Sequence, residues 1–211
     1  MSKPNSTTIF YAMSQASGKL VVFILLSISF LLLVHYFSTP IIQQAKQDNL
    51  ISSFNQVLPS NEYDNDLLAD QIQITDPQVL AKLGSDEPIN VYRAYKNQQP
   101  VALIYTTYAN DGYNGKIEIL VGLYATGNIS GVRVLDHRET PGLGDKIDIS
   151  KNDWVMGFAN KNLHDGTRWA VKKDGGDFDQ FTGATITPRA VVKAVYNSLQ
   201  AMQQLGGELY E

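Results

Sequence analysis

Between Lys19 and Lys46 the chain carries no Asp, Glu, Lys or Arg, and residues 20–37 form an apolar run broken only by Ser27, Ser29 and His35. At the helical rise, about 18 residues reach roughly 27 Å, close to the ~30 Å of a bilayer's hydrocarbon layer. Lys19 at one end and the Tyr36-Phe37 pair at the other suit the two interfaces. The pattern therefore predicts one transmembrane helix over residues 20–37. A cleaved signal peptide competes with this reading, but its apolar region would be unusually long and no small-x-small cleavage site precedes Pro40.

The flanks bear on orientation. Residues 1–19 hold Lys3 and Lys19 with no acid, whereas the other side offers only Lys46 nearby. That bias favours a cytoplasmic N-terminus. On this reading residues 38–211 lie outside the cytoplasm and are long enough to bury a core unaided. Disulfides, thiolate zinc sites and iron-sulfur ligation are excluded, because the chain has no cysteine. Its net charge of -4 is modest and its 17 basic residues are scattered, which gives a nucleic acid backbone no footing.

Residues 41–58 place Ile42, Ala45, Leu50, Ile51, Phe54, Val57 and Leu58 at helical spacing, predicting an amphipathic helix that Pro59 ends. Residues 60–66 look like a loop, and the pattern stays weak to Pro88. From residue 89 it changes to short β-rich runs over 89–95, 101–108, 117–124 and 129–135, separated by turn chemistry. Connections this short require antiparallel pairing, so a meander or half-barrel follows. Beyond it, residues 152–160 suggest a short helix around Trp154, and residues 169–172 a strand. A final helix over 187–205 is expected, with Thr187 as N-cap, Pro188 at the first helical position, Val191, Val195, Leu199 and Met202 on one face, and Gly206 as the stop. The fold class is α+β: an antiparallel, half-barrel-like sheet with flanking helices, plus the N-terminal anchor. The expected organisation is a cytoplasmic N-terminus (1–19), the span (20–37), a helical and linker region (38–88) and a sheet domain (89–211).

Spacing rejects several familiar sites. Gly142-Leu143-Gly144 continues to Ile147 where a dinucleotide fingerprint needs glycine. There is no phosphate-binding loop ending in Gly-Lys-Ser/Thr and no His-Glu-x-x-His, and Asp64-Asn65-Asp66 lacks the rest of a calcium loop. Two loops remain. Asp136-His137-Arg138-Glu139-Thr140-Pro141-Gly142-Leu143-Gly144-Asp145 joins polar groups to a backbone that a ligand can approach closely. Asp179-Gln180-Phe181-Thr182-Gly183-Ala184-Thr185 precedes the final helix, so a phosphate on Thr185 would sit near unsatisfied N–H groups and the positive helix end, while Gly183 and Ala184 leave the hydroxyl accessible. Taken by themselves these residues equally describe solvated loops and a small-residue turn.

The ordered set of features resembles the FMN-binding subunits of bacterial ion-translocating redox complexes, the RnfG (RsxG) family, with NqrC of the sodium-pumping quinone reductase as a relative. Thr182-Gly183-Ala184-Thr185 matches the family's Ser/Thr-Gly-Ala-Thr flavinylation motif, and Asp179 stands at its upstream acidic position. Glu139-Thr140-Pro141-Gly142-Leu143-Gly144 matches the second signature, and Gly112-Tyr113-Asn114-Gly115-Lys116-Ile117 and the anchor also fit. The resemblance implies FMN joined through its phosphate to Thr185 by a separate, magnesium-dependent flavin transferase that uses FAD and recognises Asp179. It further implies that Glu139, Thr140, Leu143 and Gly144 contact the flavin, that Thr182, Gly183 and Ala184 surround the phosphate, and that the domain relays electrons in the periplasm. Its partners would be the other subunits of an Rnf-type complex in the inner membrane.

Two other classes bear on the same residues. A periplasmic adaptor with this domain but no flavin would leave Thr185 as a helix-entry residue. A hydrolase would need a nucleophile beside His137 and Asp136 or Glu139, and the sequence positions none.

Overall fold

The computed structural model describes residues 6–210, with side chains for Gln15 and from Lys19 onward, Ile41 excepted. Two compact units divide between Leu50 and Ile51.

The first unit is helix α1, which spans Ser6–Val57 and so carries its last turns into the second unit. Its apolar stretch is long and apolar enough to cross a membrane, and its side chains are exposed on every side, as lipid contact requires. Two hydroxyls of the helix bond backward along it, Ser27 Oγ to the Phe23 carbonyl at 2.9 Å and Thr39 Oγ1 to the His35 carbonyl at 2.7 Å. The sequence predicts a separate amphipathic helix after Pro40, whereas α1 runs through that proline without interruption. Pro40 removes one N–H, which neighbouring side chains and tilted carbonyls can offset in a long apolar helix. Residues 42–49 are exposed all round, so the one-sided pattern begins only near Leu50.

In the second unit five strands run in the order β1-β2-β3-β4-β5, every neighbour antiparallel. They are β1 Gln71–Ile74, β2 Ile89–Lys96, β3 Gln99–Gly112, β4 Gly115–Tyr124 and β5 Ile129–Asp136. Asn97 and Gln98 both have positive φ, 51° and 62°, as a two-residue hairpin demands, and Lys96 pairs with Gln99 across it. The β3–β4 hairpin reaches well past the predicted strand ends, to a tip at Tyr113 and Asn114, with a bulge between Ala109 and Gly112. The unpatterned stretch supplies β1 and a short helix, α2 (Pro77–Leu83), capped by Asp76 Oδ1 on the N–H groups of Gln78 and Val79.

Alternation splits the sheet into two faces. Leu103, Tyr105, Ile119 and Val121 face helix α3 (Ile186–Leu205), whose Val191, Val195, Leu199 and Met202 are buried as the spacing predicts. Tyr105 lies fully inside, its hydroxyl 3.3 Å from Ser198 Oγ, and burial pushes its ionisation far above the usual range. On the opposite face, Phe54 packs its ring 4.6 Å from that of Tyr92, and Val57 lies across Gly122 and Gly131. A Cβ on Gly131 would stand 2.9 Å from the Val57 Cα, so bare backbone is what lets the end of α1 seat there.

Two further expectations change. Residues 169–172 make no strand: Val171 forms a lone bridge with Phe178, and Lys172–Asp174 is a 3-10 turn ended by Gly175 at φ 82°. The two lysines and the glycine pair bend the chain before a ladder can form. Helix α3 begins two residues earlier than predicted, at Ile186 rather than Pro188, with Thr185 rather than Thr187 in the cap position. Thr187 is instead fully buried in the first turn, where its hydroxyl donates to the Glu139 carboxylate. Trp154 behaves as expected, in a 3-10 helix (Asp153–Phe158) capped by Asn152.

Gly131→Ala tests the seat of α1. The expected outcome is a loss of about 1–3 kcal/mol, because the methyl meets backbone that cannot rotate away. Urea unfolding of the detergent-solubilised chain measures it, and an unchanged midpoint would mean that the Val57 contact is not close.

Candidate functional site

A cleft of about 620 Å³ opens where three segments meet: the β3–β4 tip, the loop after β5, and the turn leading into α3. Its walls include Tyr113, Glu139, Thr140, Leu143, Gly144, Gly183, Ala184 and Thr185, joined by Lys173, Ile186 and Thr187.

Glu139 fastens the segments together. Although only 5% exposed, its carboxylate accepts a bond from the Thr187 hydroxyl at 2.7 Å and another from the Asn114 backbone N–H at 3.2 Å. It thus ties the head of α3 to the hairpin tip. Asn114 Nδ2 adds a bond to Thr140 Oγ1 at 3.1 Å. The loop itself is gathered on the Thr140 carbonyl, which accepts from the N–H groups of Leu143 and Gly144 at 3.1 Å each. A Cβ on Gly144 would lie 2.6 Å from Glu139 Oε2 and 2.9 Å from Thr187 Oγ1, so glycine is required for the loop to close over that bond.

On the other wall, Phe181-Thr182-Gly183-Ala184 is a tight turn, with the Ala184 N–H on the Phe181 carbonyl at 3.1 Å and Gly183 at φ 82°. Phe181 anchors it from beneath, its ring 5.4 Å from Trp154, which belongs to a cluster with Phe158, Trp169 and Phe178. Trp154 Nε1 also donates to the Asp179 carbonyl at 2.8 Å. The turn therefore hands the chain to α3 from a fixed platform. Thr185 follows it at the cap position with helical φ and ψ of -74° and -28°, and its hydroxyl makes no capping bond. Half-buried Thr185 lines the cleft, its hydroxyl uncommitted to the helix. The first-turn N–H groups of Ile186 and Thr187 have no acceptor within the helix either.

Of the residues singled out by sequence, Glu139, Thr140, Leu143, Gly144, Gly183, Ala184 and Thr185 come together around this cleft. Thr182 is exposed at the corner of the turn, and Asp179 lies outside the lining, its side chain in an exposed 2.6 Å ion pair with Lys172. His137 does not act as the hydrolase reading would need: its Nδ1 accepts the Glu139 backbone N–H at 3.1 Å, a bond that shapes the loop. Sequence reasoning missed Lys173, Ile186 and Thr187 as cleft residues. Thr187 carried a signal, a Thr-Pro pair at a helix start, but it pointed to capping. Lys173 and Ile186 carried none.

The walls offer a ligand both polar groups and apolar surface. Leu143, Ile186 and Tyr113 hold apolar surface in the open, at 42%, 45% and 66% exposure, and the volume lies within the ~300–1,000 Å³ usual for ligand pockets.

A family model described as FMN-binding domain matches residues 112–200, which takes in all three walls of the cleft. Curated relatives match most of the chain, and those that follow are all RnfG proteins of the ion-translocating oxidoreductase complex. That of Pseudoalteromonas atlantica is 48% identical over 171 residues, covering 80% of this chain and 78% of its own. The protein of the same name from Yersinia pestis is 52% identical over 157 residues, 74% of this chain and 73% of its own. The one from Vibrio cholerae is 43% identical over 193 residues, 90% of each.

Replacing Thr187 by Val keeps its shape and removes the donor to Glu139. The expected cost is about 1.5–3 kcal/mol, the range for a bond to a charged group, with most of it restored by Ser. Thermal unfolding of the two variants side by side checks this, and equal stability of Val and wild type would remove the fastening role.

Proposed function

Because the chain belongs to the RnfG family of ion-translocating oxidoreductase complexes and carries an FMN-binding domain, we propose that it is a membrane-anchored electron carrier whose FMN is joined by a phosphoester to Thr185. One observation carries the attachment point: Thr185 lines the cleft at the head of α3, and its hydroxyl does not cap the helix that it begins. A hydroxyl left free at a site flanked by unsatisfied N–H groups is suited to hold a phosphate.

The flavin would supply the redox chemistry, taking up and passing on electrons, while the chain has only to hold and orient it. In this reading Glu139, Thr140, Leu143 and Gly144 line the ring or ribityl chain, with Leu143 and Ile186 keeping water from its faces. The Ile186 and Thr187 N–H groups would be available to hold the phosphate, with Thr182, Gly183 and Ala184 beside it. Glu139 acts chiefly on the shape of the cleft, since both its oxygens are already engaged.

Attachment would fall to a separate flavin transferase that recognises Asp179 and uses FAD. The Thr185 oxygen forms the new bond to the FMN phosphorus, the pyrophosphate bond breaks, AMP departs, and the hydroxyl proton passes to a base. With the N-terminus cytoplasmic and residues 20–37 spanning the inner membrane, the flavin domain lies in the periplasm beside the other subunits of an Rnf-type complex. A freely exchanging flavin would be lost there by mass action, and a covalent link removes that loss.

The test is flavin fluorescence of the chain in a denaturing gel after coexpression with a flavin transferase. Fluorescence should survive denaturation in the wild type, vanish in Thr185→Ala, and map to the Thr185 peptide by mass. A colourless wild type beside a flavinylated control substrate would replace the carrier with a flavin-free adaptor.

A further inference from the structure

We infer that Lys173 supplies the counter-charge to the flavin's phosphate and is a positioning residue of the site; the inference rests on the attachment at Thr185 proposed above. Two charged side chains line the cleft, Glu139 and Lys173. The first is committed to Asn114 and Thr187. The Lys173 ammonium has no hydrogen bond or ion pair among the described residues.

The backbone of Lys173 is held on three sides. It is the middle residue of the turn Lys172–Asp174, and both outer residues are pinned. Lys172 pairs with Asp179 at 2.6 Å, and Asp174 receives two bonds from Arg189 of α3, at 2.6 and 2.9 Å. The Lys173 backbone N–H itself donates to Gln180 Oε1 at 3.1 Å. Asp179 and Gln180 belong to the segment that leads to Thr185, and Arg189 stands one turn beyond it, its N–H on the Thr185 carbonyl. The turn is thus braced against both elements that position the attachment hydroxyl; the Lys173 side chain, which acts on the Asp174 carboxylate only through its charge, lines the same cleft.

Charge explains what that side chain is for. A phosphodiester on Thr185 carries a full negative charge, whereas the helix end offers about half a positive charge. It also offers few donors, since Pro188 has no N–H and only Ile186 and Thr187 remain ahead of the first intrahelical bond. A lysine ammonium, a compact point charge with three donors, completes the neutralisation.

The experiment uses the full chain, coexpressed with a flavin transferase and solubilised in detergent, as wild type, Lys173→Gln and Lys173→Arg. Phosphorus NMR reads the environment of the phosphoester directly. The expected result is a displaced resonance in Lys173→Gln and one near the wild-type position in Lys173→Arg. Added NaCl should move the wild-type resonance toward the Gln position by screening the pair, and leave the Gln variant in place. Coincident resonances in all three, or a wild type insensitive to salt, would overturn the assignment; if Lys173→Gln does not load, the wild-type salt titration decides alone. A loaded wild type with an unmoved resonance counts against Lys173 only, whereas a wild type with no gel-stable flavin counts against attachment at Thr185 itself.

Discussion

The cleft depends on a buried carboxylate with two partners. Glu139 lies at the junction of a loop, a hairpin tip and a helix head, and its bonds to Thr187 and Asn114 are what hold the three together. Burying a carboxylate costs several kcal/mol unless it is bonded, so the arrangement is stable only when all three segments are in place. Each local feature then acquires a reason. Gly144 lacks a Cβ because the Glu139–Thr187 bond occupies that space, and Thr187 sits inside the first turn of α3 because its hydroxyl is needed there.

A second support lies under the opposite wall. Phe181 enters the aromatic cluster of Trp154, Phe158, Trp169 and Phe178 just before the chain turns at Gly183. Ring packing of this kind adds rigidity beyond its buried area. The turn and the loop are therefore fixed by different means, one by charge and hydrogen bonding, the other by apolar packing, and the open side chains of Leu143 and Ile186 project between two rigid walls.

How much of this the sequence discloses depends on how far apart the cooperating residues lie. The strands are legible because β-branched and aromatic residues alternate over their length, and the final helix because Val191, Val195, Leu199 and Met202 repeat at its period. Strand β1 escapes because Gln71-Ile72-Gln73-Ile74 is too short and polar to stand out, and the far end of β3 because Asn110 and Asp111 look like a turn when read locally. Pro40 looks like a boundary, yet α1 continues through it, since a local propensity yields where the helix has no competing structure. At the site, the Thr182-Gly183-Ala184-Thr185 and Glu139-Thr140-Pro141-Gly142-Leu143-Gly144 runs are visible as strings. Lys173, Ile186 and Thr187 become cleft residues only through tertiary packing, which no local pattern encodes.

The head of α3 departs from what its own stability would favour. A threonine at an N-cap ordinarily bonds the N–H of the second or third residue, worth about 1 kcal/mol, and adopts an extended backbone to do so. Thr185 has helical dihedrals instead and forgoes that bond. Two features limit the loss: Pro188 removes one of the N–H groups that would need an acceptor, and the Thr187–Glu139 bond fixes the first turn by its side chain. What remains is a hydroxyl that caps nothing, beside two N–H groups without a helical acceptor, on a rigid platform. A helix selected for stability alone would fill that position with its own cap; leaving it free gives up stability where an external anion can restore it, as local rules tend to be broken at functional sites.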